Sequence, residues 1–160
     1  MVNIKGDVIQ WKAVKGTPPY VEAYKLTINV RSITDERPTF RNTHTISMEL
    51  PAAYPRVAPQ IIMLTTPPPF HPNWYQVGKW CFGTWDISEG LGHHVIRMIR
   101  TLQFDLEITN PDSPANGEAN RWFCARRNSG IFPCDSTPLP DPTKSRFSLQ
   151  SQTKRKFKIN

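Results

Sequence analysis

From residue 24 to residue 31 apolar and polar side chains alternate: Tyr24, Leu26, Ile28 and Val30 are separated by Lys25, Thr27 and Asn29 and followed by Arg31. A period of two places the apolar set on one face and predicts a half-buried strand over residues 24–33. A second alternation, Thr45-Ile46-Ser47-Met48-Glu49-Leu50, follows a polar turn around Thr34 to Thr43 and stops at Pro51, which has no N–H to give to a ladder. The two predict a hairpin or meander. After Tyr54-Pro55-Arg56-Val57-Ala58-Pro59, the short run Ile61-Ile62-Met63-Leu64 is rich in branched residues, which favours a buried third strand over a helix.

The pattern then breaks. From Pro67 to Gly92 the chain is rich in Pro, Gly and Trp and has little periodicity, which predicts an irregular segment of about 25 residues, a length that in compact domains usually signals function. Val95, Ile99, Leu102 and Leu106 recur at helical spacing and predict an amphipathic helix that covers one face of the sheet and ends at Asn110-Pro111. A second helix is expected from Pro114, with Ser113 as its N-cap and Ala115, Ala119, Trp122 and Phe123 on its buried side. Residues 1–23 show no clean helical stripe and contain Gly16, Pro18 and Pro19. The expected organisation is one α+β domain over residues 1–128, strands first and helices afterwards, and a tail over 129–160 that is proline-rich and then basic.

The size of the chain, 160 residues, suits a single core. Its formal charge of +7 changes the picture little, because much of the excess lies past residue 120, up to Lys154-Arg155-Lys156 and Lys158. That basic run lacks interleaved aromatics apart from Phe157, so a solvated tail or an acidic protein surface is expected rather than nucleic acid. No stretch approaches the roughly 18 to 20 apolar residues of a membrane helix, and Met1 to Gly6 lacks the apolar core of a secretion signal. A soluble, cytoplasmic protein without a membrane partner is expected. Cys81, Cys124 and Cys134 form an odd set with no two-residue spacing, and His93-His94 has no third ligand at a sensible distance, so neither disulfides nor a metal is expected. Cys124 reads as structural, and Cys134 as exposed but unactivated. Trp74, Trp80 and Trp85 read as packing residues rather than binding platforms.

The chemistry-bearing stretch is Phe70-His71-Pro72-Asn73, then Gly78-Lys79-Trp80-Cys81-Phe82-Gly83, and finally Asn110-Pro111-Asp112-Ser113-Pro114. In these residues the sequence resembles the ubiquitin-conjugating enzyme family, marked by a His-Pro-Asn triplet, a cysteine eight residues after the asparagine, and a Pro-Asp-x-Pro element after the following helix. Asn73 to Cys81 is that eight-residue step. Tyr54-Pro55 with Pro59 resembles the family's upstream loop, and Glu118-Ala119 with Trp122-Phe123 resembles the helix after the site, so the similarity spans about residues 44–123.

The resemblance implies an antiparallel meander packed on a central helix, with a long active-site loop and a shortened C-terminal helical part. It also implies that Cys81 accepts a ubiquitin-like protein from an activating enzyme as a thioester and passes it to an amine of a target protein. ATP would be spent upstream, and the chain would need no cofactor. Such exchange requires an accessible thiol that attacks as thiolate, and a donor near the oxyanion that forms. By the same resemblance Asn73 either donates to that oxyanion or braces the loop, and Ser113 positions the incoming lysine, caps a helix, or does both. His71 reads as a loop residue bonding backbone rather than as a base, and Pro72, Trp80, Phe82 and Asp112 support the loop.

Three departures stand against the family pattern. The opening helix that would meet the activating enzyme is missing from residues 1–23, the loop expected to meet RING-type ligases reads Ser88-Glu89-Gly90-Leu91-Gly92, and the last two helices are absent or replaced by the tail. They suggest a divergent member, of the kind found in a bacterial ubiquitin-like conjugation operon, whose ligase is optional and not a conventional RING protein. A noncatalytic RWD-like binding module would explain the strands and the Tyr54-Pro55 loop, but not Asn73, Cys81 and Pro111 to Pro114 together.

Overall fold

The computed structural model describes residues 1 and 4–144. In chain order the elements are β1 (Ile9–Thr17), β2 (Tyr20–Ile28), β3 (Ser32–Asp35), β4 (Thr39–Arg41), β5 (His44–Glu49), β6 (Gln60–Met63), α1 (Leu91–Leu102) and α2 (Gly117–Arg126). Four of the strands make one antiparallel sheet in the order β1-β2-β5-β6, while β3 and β4 pair separately. The fold is α+β.

The alternation at residues 24–30 explains the centre of the sheet: Tyr24, Leu26, Ile28 and Val30 are all buried, as are Ile46 and Met48 of β5 and Ile61 and Met63 of β6. Against this face α1 lays Val95, Met98, Ile99 and Leu102, every one of them fully buried. Burying each such side chain contributes about 1.5–3 kcal/mol, so this interface dominates the stability of the unit.

Four expectations are corrected. The strand expected to begin at residue 24 begins at Tyr20 and ends at Ile28, because β1 pairs along its whole length, from Thr17 opposite Tyr20 to Ile9 opposite Ile28. As an edge strand β1 buries only Ile9 completely, and its alternation, Ile9, Trp11 and Ala13 inward of Gln10, Lys12 and Val14, is short and only half-buried. Gly16 in its terminal bulge has φ +77°, and a Cβ there would come within 2.3 Å of the Tyr20 carbonyl, so only glycine fits. Second, the polar stretch after residue 33 is not a plain turn but the β3–β4 hairpin.

Third, the long helix stops at Leu102 rather than near Asn110. Phe104 sits at φ 55°, a conformation unusual for a bulky residue, and turns the chain so that its ring is fully buried. It forms a second, aromatic core with Ile33, Trp122, Phe123 and Phe132, while Leu106 is left 37% exposed. Fourth, α2 begins at Gly117 and is capped by Asn116, whose Oδ1 accepts from the Ala119 N–H at 3.1 Å. Ser113 is exposed and is not the cap.

Beyond residue 128 the chain continues as an extended strap seated on the domain. Phe132 lies 5.0 Å from Phe104, ring to ring, the Cys134 N–H donates to the Gln103 carbonyl at 2.9 Å, and Leu139 packs on the main core. Residues 145–160, which hold nearly all of the basic run expected after Lys144, lie outside the described residues. No helix among the described residues is long and apolar enough to cross a membrane.

Candidate active site

Cys81 ends a short hairpin that grows out of the irregular stretch. Trp74 pairs with Trp80, the Cys81 N–H donates to the Asn73 carbonyl at 2.9 Å, and Tyr75 and Lys79 face each other through an N–H···O bond of 2.9 Å. Alternation across this hairpin sends Trp74 and Trp80 into the core, at 0% and 2% exposure, and leaves Tyr75, Lys79 and Cys81 on the outer side. The hairpin also docks on β6: the Met63 N–H donates to the Gly78 carbonyl at 2.8 Å and the Trp80 N–H to the Ile61 carbonyl at 3.0 Å. Gly78 is required there, with φ +93° and the Met63 carbonyl oxygen 3.0 Å from where a Cβ would stand.

The His71-Pro72-Asn73 triplet ties a second segment to this hairpin. His71 is fully buried, its Nδ1 accepts from the Asn73 N–H at 2.8 Å, and its ring lies 4.3 Å from that of Phe104. Burial pushes its pKa down to about 3, so the imidazole is neutral and holds backbone. The Pro72 carbonyl accepts from the N–H groups of Ala115 at 2.7 Å and Asn116 at 3.1 Å. Asn73 adds two bonds: its Nδ2 donates to the Asn110 carbonyl at 2.9 Å, and its Oδ1 accepts from the Asn110 N–H at 2.8 Å. Asn110 in turn accepts, through Oδ1, from the Asp112 N–H at 3.0 Å.

A cleft of about 190 Å³ is lined by both segments, by Cys81, Phe82 and Gly83 and by Ile108, Asn110 and Ser113; Asn73, Trp80, Arg97 and Thr101 complete its lining. Cys81 is half-buried, Ser113 exposed. Every residue expected at the site is thus near the cleft: Cys81, Asn73, Ser113, Trp80 and Phe82 line it, His71 and Pro72 brace it from behind, and Asp112 sits exposed beside Ser113. Among the described residues the lining contains one cation, two hydroxyls and two amides, but no imidazole and no carboxylate.

Two neighbours of Cys81 were not anticipated. The Tyr75 hydroxyl is raised above the ordinary phenol range, first by the negative charge of the Cys81 thiolate and then by a hydrogen bond to it. Its signal in the sequence is only its place one step out of phase with Trp74. Arg97, on α1, reaches past Trp80 and donates to the carbonyls of Phe82 and Thr84, just downstream of the cysteine. It sits two residues after Val95 in the helical stripe, where an arginine reads as a solvated edge.

The other cysteines reverse their expected settings. Cys124 is exposed, while Cys134 is half-buried, with burial first and then the charge of Asp135 pushing its thiol up to about 12. Among the described residues no three His, Cys, Asp or Glu side chains converge in a way that could hold a metal ion. No protein-family model matches the chain.

Proposed function

We propose that this chain is a divergent ubiquitin-conjugating-type enzyme, with the fold of that family, that carries a ubiquitin-like protein as a thioester on Cys81 and transfers it to a lysine of a target protein. The observation that carries the proposal is the two-bond pairing of Asn73 with Asn110, which ties the cysteine hairpin to the segment of Ser113, so that Cys81 and Ser113 line one cleft. The resemblance in His71-Pro72-Asn73, Cys81 and Pro111 to Pro114 supports the same reading.

The makeup of the cleft supports it chemically. Cleaving an amide or ester with a thiol calls for a base beside the sulfur and an acid for the leaving group. A lining without imidazole or carboxylate suits an acyl group that arrives already activated. The Cys81 thiolate attacks the thioester carbonyl on the activating enzyme, the new C–S bond forms, and the donor leaves as its own thiolate. The target amine then attacks, a C–N bond replaces the C–S bond, and the proton released by nitrogen is taken up by solvent or by the departing sulfur. Ser113 orients the amine through its hydroxyl. Asn73 acts as the brace of the loop, with its oxygen and one amide N–H committed to Asn110. The activating enzyme spends the ATP, the setting is cytoplasmic, and any ligase engages surfaces other than those of a conventional RING protein.

The test is to incubate the protein with its cognate activating enzyme, ubiquitin-like protein and ATP, and to run non-reducing gels beside the Cys81→Ala variant. A reductant-sensitive adduct absent from the variant is expected. Its absence from folded protein, when the activating enzyme itself charges normally, would overturn the enzyme reading in favour of a noncatalytic binding module.

A further inference from the structure

We infer that Arg97 is a positioning residue for Cys81, one that fixes the chain on the C-terminal side of the thiol while Asn73 fixes it on the N-terminal side. The inference rests on the reading of Cys81 as the acyl carrier, and it concerns how that sulfur is held. Cys81 itself is anchored to the hairpin by its N–H, but Phe82, Gly83 and Thr84 leave the hairpin and have no regular ladder of their own. Gly83 sits at φ +75° and a Cβ there would meet nothing within 4 Å, so no side-chain packing holds this turn and its fixing falls to its neighbours' carbonyls.

What holds them is one guanidinium. Arg97 donates from Nη1 to the Phe82 carbonyl and from Nη2 to the Thr84 carbonyl at 3.4 Å, spanning the glycine from both sides. The same group is itself oriented: Nε and Nη2 form a fork on the Glu89 carboxylate at 3.0 and 2.9 Å, and the guanidinium lies 5.3 Å from the centre of the Trp80 ring. A bidentate carboxylate partner and a flat aromatic neighbour leave an arginine little freedom. His94 sits below, fully buried, with Nδ1 3.3 Å from Nη2 of Arg97 and 3.6 Å from Glu89, and its ring packs on Trp80, Phe82 and Trp85.

A planar fork that serves two carbonyls and a carboxylate at once is a task for arginine and not for lysine, whose three donors radiate from a single nitrogen. Arg100 offers a control within the same helix. It also makes paired contacts, to Asp105 at 2.7 Å and Glu107 at 2.8 Å, but is absent from the lining of the Cys81 cleft.

The experiment compares the whole protein with its Arg97→Ala, Arg97→Lys and Arg100→Ala variants by two readouts. Hydrogen-exchange mass spectrometry, which needs no partner, is expected to show faster exchange at the hydrogen-bonded N–H groups of Trp80 and Cys81, read in a peptide over residues 76–85, for both Arg97 variants, with α1 and the rest of the sheet unchanged, and no such change for Arg100→Ala. Single-turnover discharge of the charged protein to free lysine is expected to slow by about ten- to a hundredfold in Arg97→Ala, with half-saturation in lysine unchanged and only partial recovery in Arg97→Lys. Unchanged exchange at the Trp80 and Cys81 N–H groups, or discharge at the parental rate despite faster exchange, would overturn the inference. Should Arg97→Ala fail to fold, Arg97→Lys decides by the same two readouts. A wild-type protein that never forms a thioester would sink the carrier reading alone, and the exchange data would still decide whether Arg97 holds the loop.

Discussion

Asn73 and Asn110 exchange two hydrogen bonds, side-chain amide to backbone, across 37 residues of sequence. Asn110 itself is exposed, so water can take over its backbone groups, and each of the two bonds contributes about 0.5–1.5 kcal/mol net. Asn73→Ala is therefore expected to destabilise the protein by about 1–3 kcal/mol, lowering the melting temperature by several degrees. Asn73→Asp keeps the acceptor but sets a charged oxygen against the Asn110 carbonyl at a nearly buried position, and should cost at least as much. Thermal unfolding of the two variants would settle this, and a melting temperature in Asn73→Ala equal to that of the parent would refute the clamp.

Three histidines are buried in neutral form. Burial is the main cause of lowering His71 to about 3, and His44 and His94 to about 4. Because the folded-state values lie below the unfolded value of about 6.5, the stability they contribute is complete above that pH and drains away as pH falls toward 4. The loss is about 1.4 kcal/mol per pH unit for each histidine, or about 4 kcal/mol for the three together at pH 5.5. Urea unfolding at pH 7.5 and 5.5 should show that drop; equal midpoints would mean that these imidazoles are not buried neutral.

Ser113 and Asn116 should separate cleanly by mutation. Asn116→Ala removes the cap of α2 and is expected to cost about 1 kcal/mol, whereas Ser113→Ala, at an exposed position, should stay within about 0.5 kcal/mol of the parent. If Ser113 orients the acceptor amine, Ser113→Ala slows discharge to lysine without slowing formation of the thioester. Loss of stability in Ser113→Ala comparable to that in Asn116→Ala would restore the serine as a cap.

The Tyr75 phenol titrates high because of the Cys81 thiolate beside it. Cys81→Ala removes that charge, so the Tyr75 transition is expected to move down toward the ordinary phenol value near 10. A difference titration by ultraviolet absorbance, with Tyr75→Phe to assign the band, reads this directly. Identical curves for parent and Cys81→Ala would show that the hydroxyl and the sulfur do not meet.

Phe132 joins the strap to the aromatic core. Phe132→Ala is expected to cost about 3–5 kcal/mol, as for other buried aromatic truncations, and equilibrium denaturation would measure it. A change below about 1 kcal/mol would show that the strap is dispensable.

Much of the sheet could be read from the chain because its central strands bury one face and so alternate visibly, as Leu26, Ile28, Ile46 and Met48 do. β1 was missed although Ile9, Trp11 and Ala13 alternate with Gln10, Lys12 and Val14: the run is short, is followed by Gly16, Pro18 and Pro19, and as an edge strand it leaves Gln10 to Thr17 at least partly exposed. The helix was overextended because Leu106 continued the stripe by chance, while the event that ends α1 is a left-handed phenylalanine, a conformation that residue type does not announce. At the cleft, Cys81, Asn73 and Ser113 were legible as a spaced pattern. Arg97 and Tyr75 were not, since their part depends on which carbonyls and which sulfur the folded chain brings within reach. Phe132 was hidden among prolines, where one aromatic residue looks incidental until its partners on α2 are in view.

The hairpin that ends at Cys81 lies along β6, the last strand of the sheet, through the contacts of Gly78 with Met63 and Trp80 with Ile61. An uncovered outer strand is a template for pairing with other chains. The opposite border, β1, carries Lys12 and Lys15 and a bulge near Gly16, all of which discourage such pairing, whereas β6 presents the exposed side chain of Ile62 and is followed by exposed Leu64. The segment that bears the thiol therefore also serves as a bung on the sticky side of the sheet. Damage that loosens it would show first as self-association of the protein, before any loss of its secondary structure.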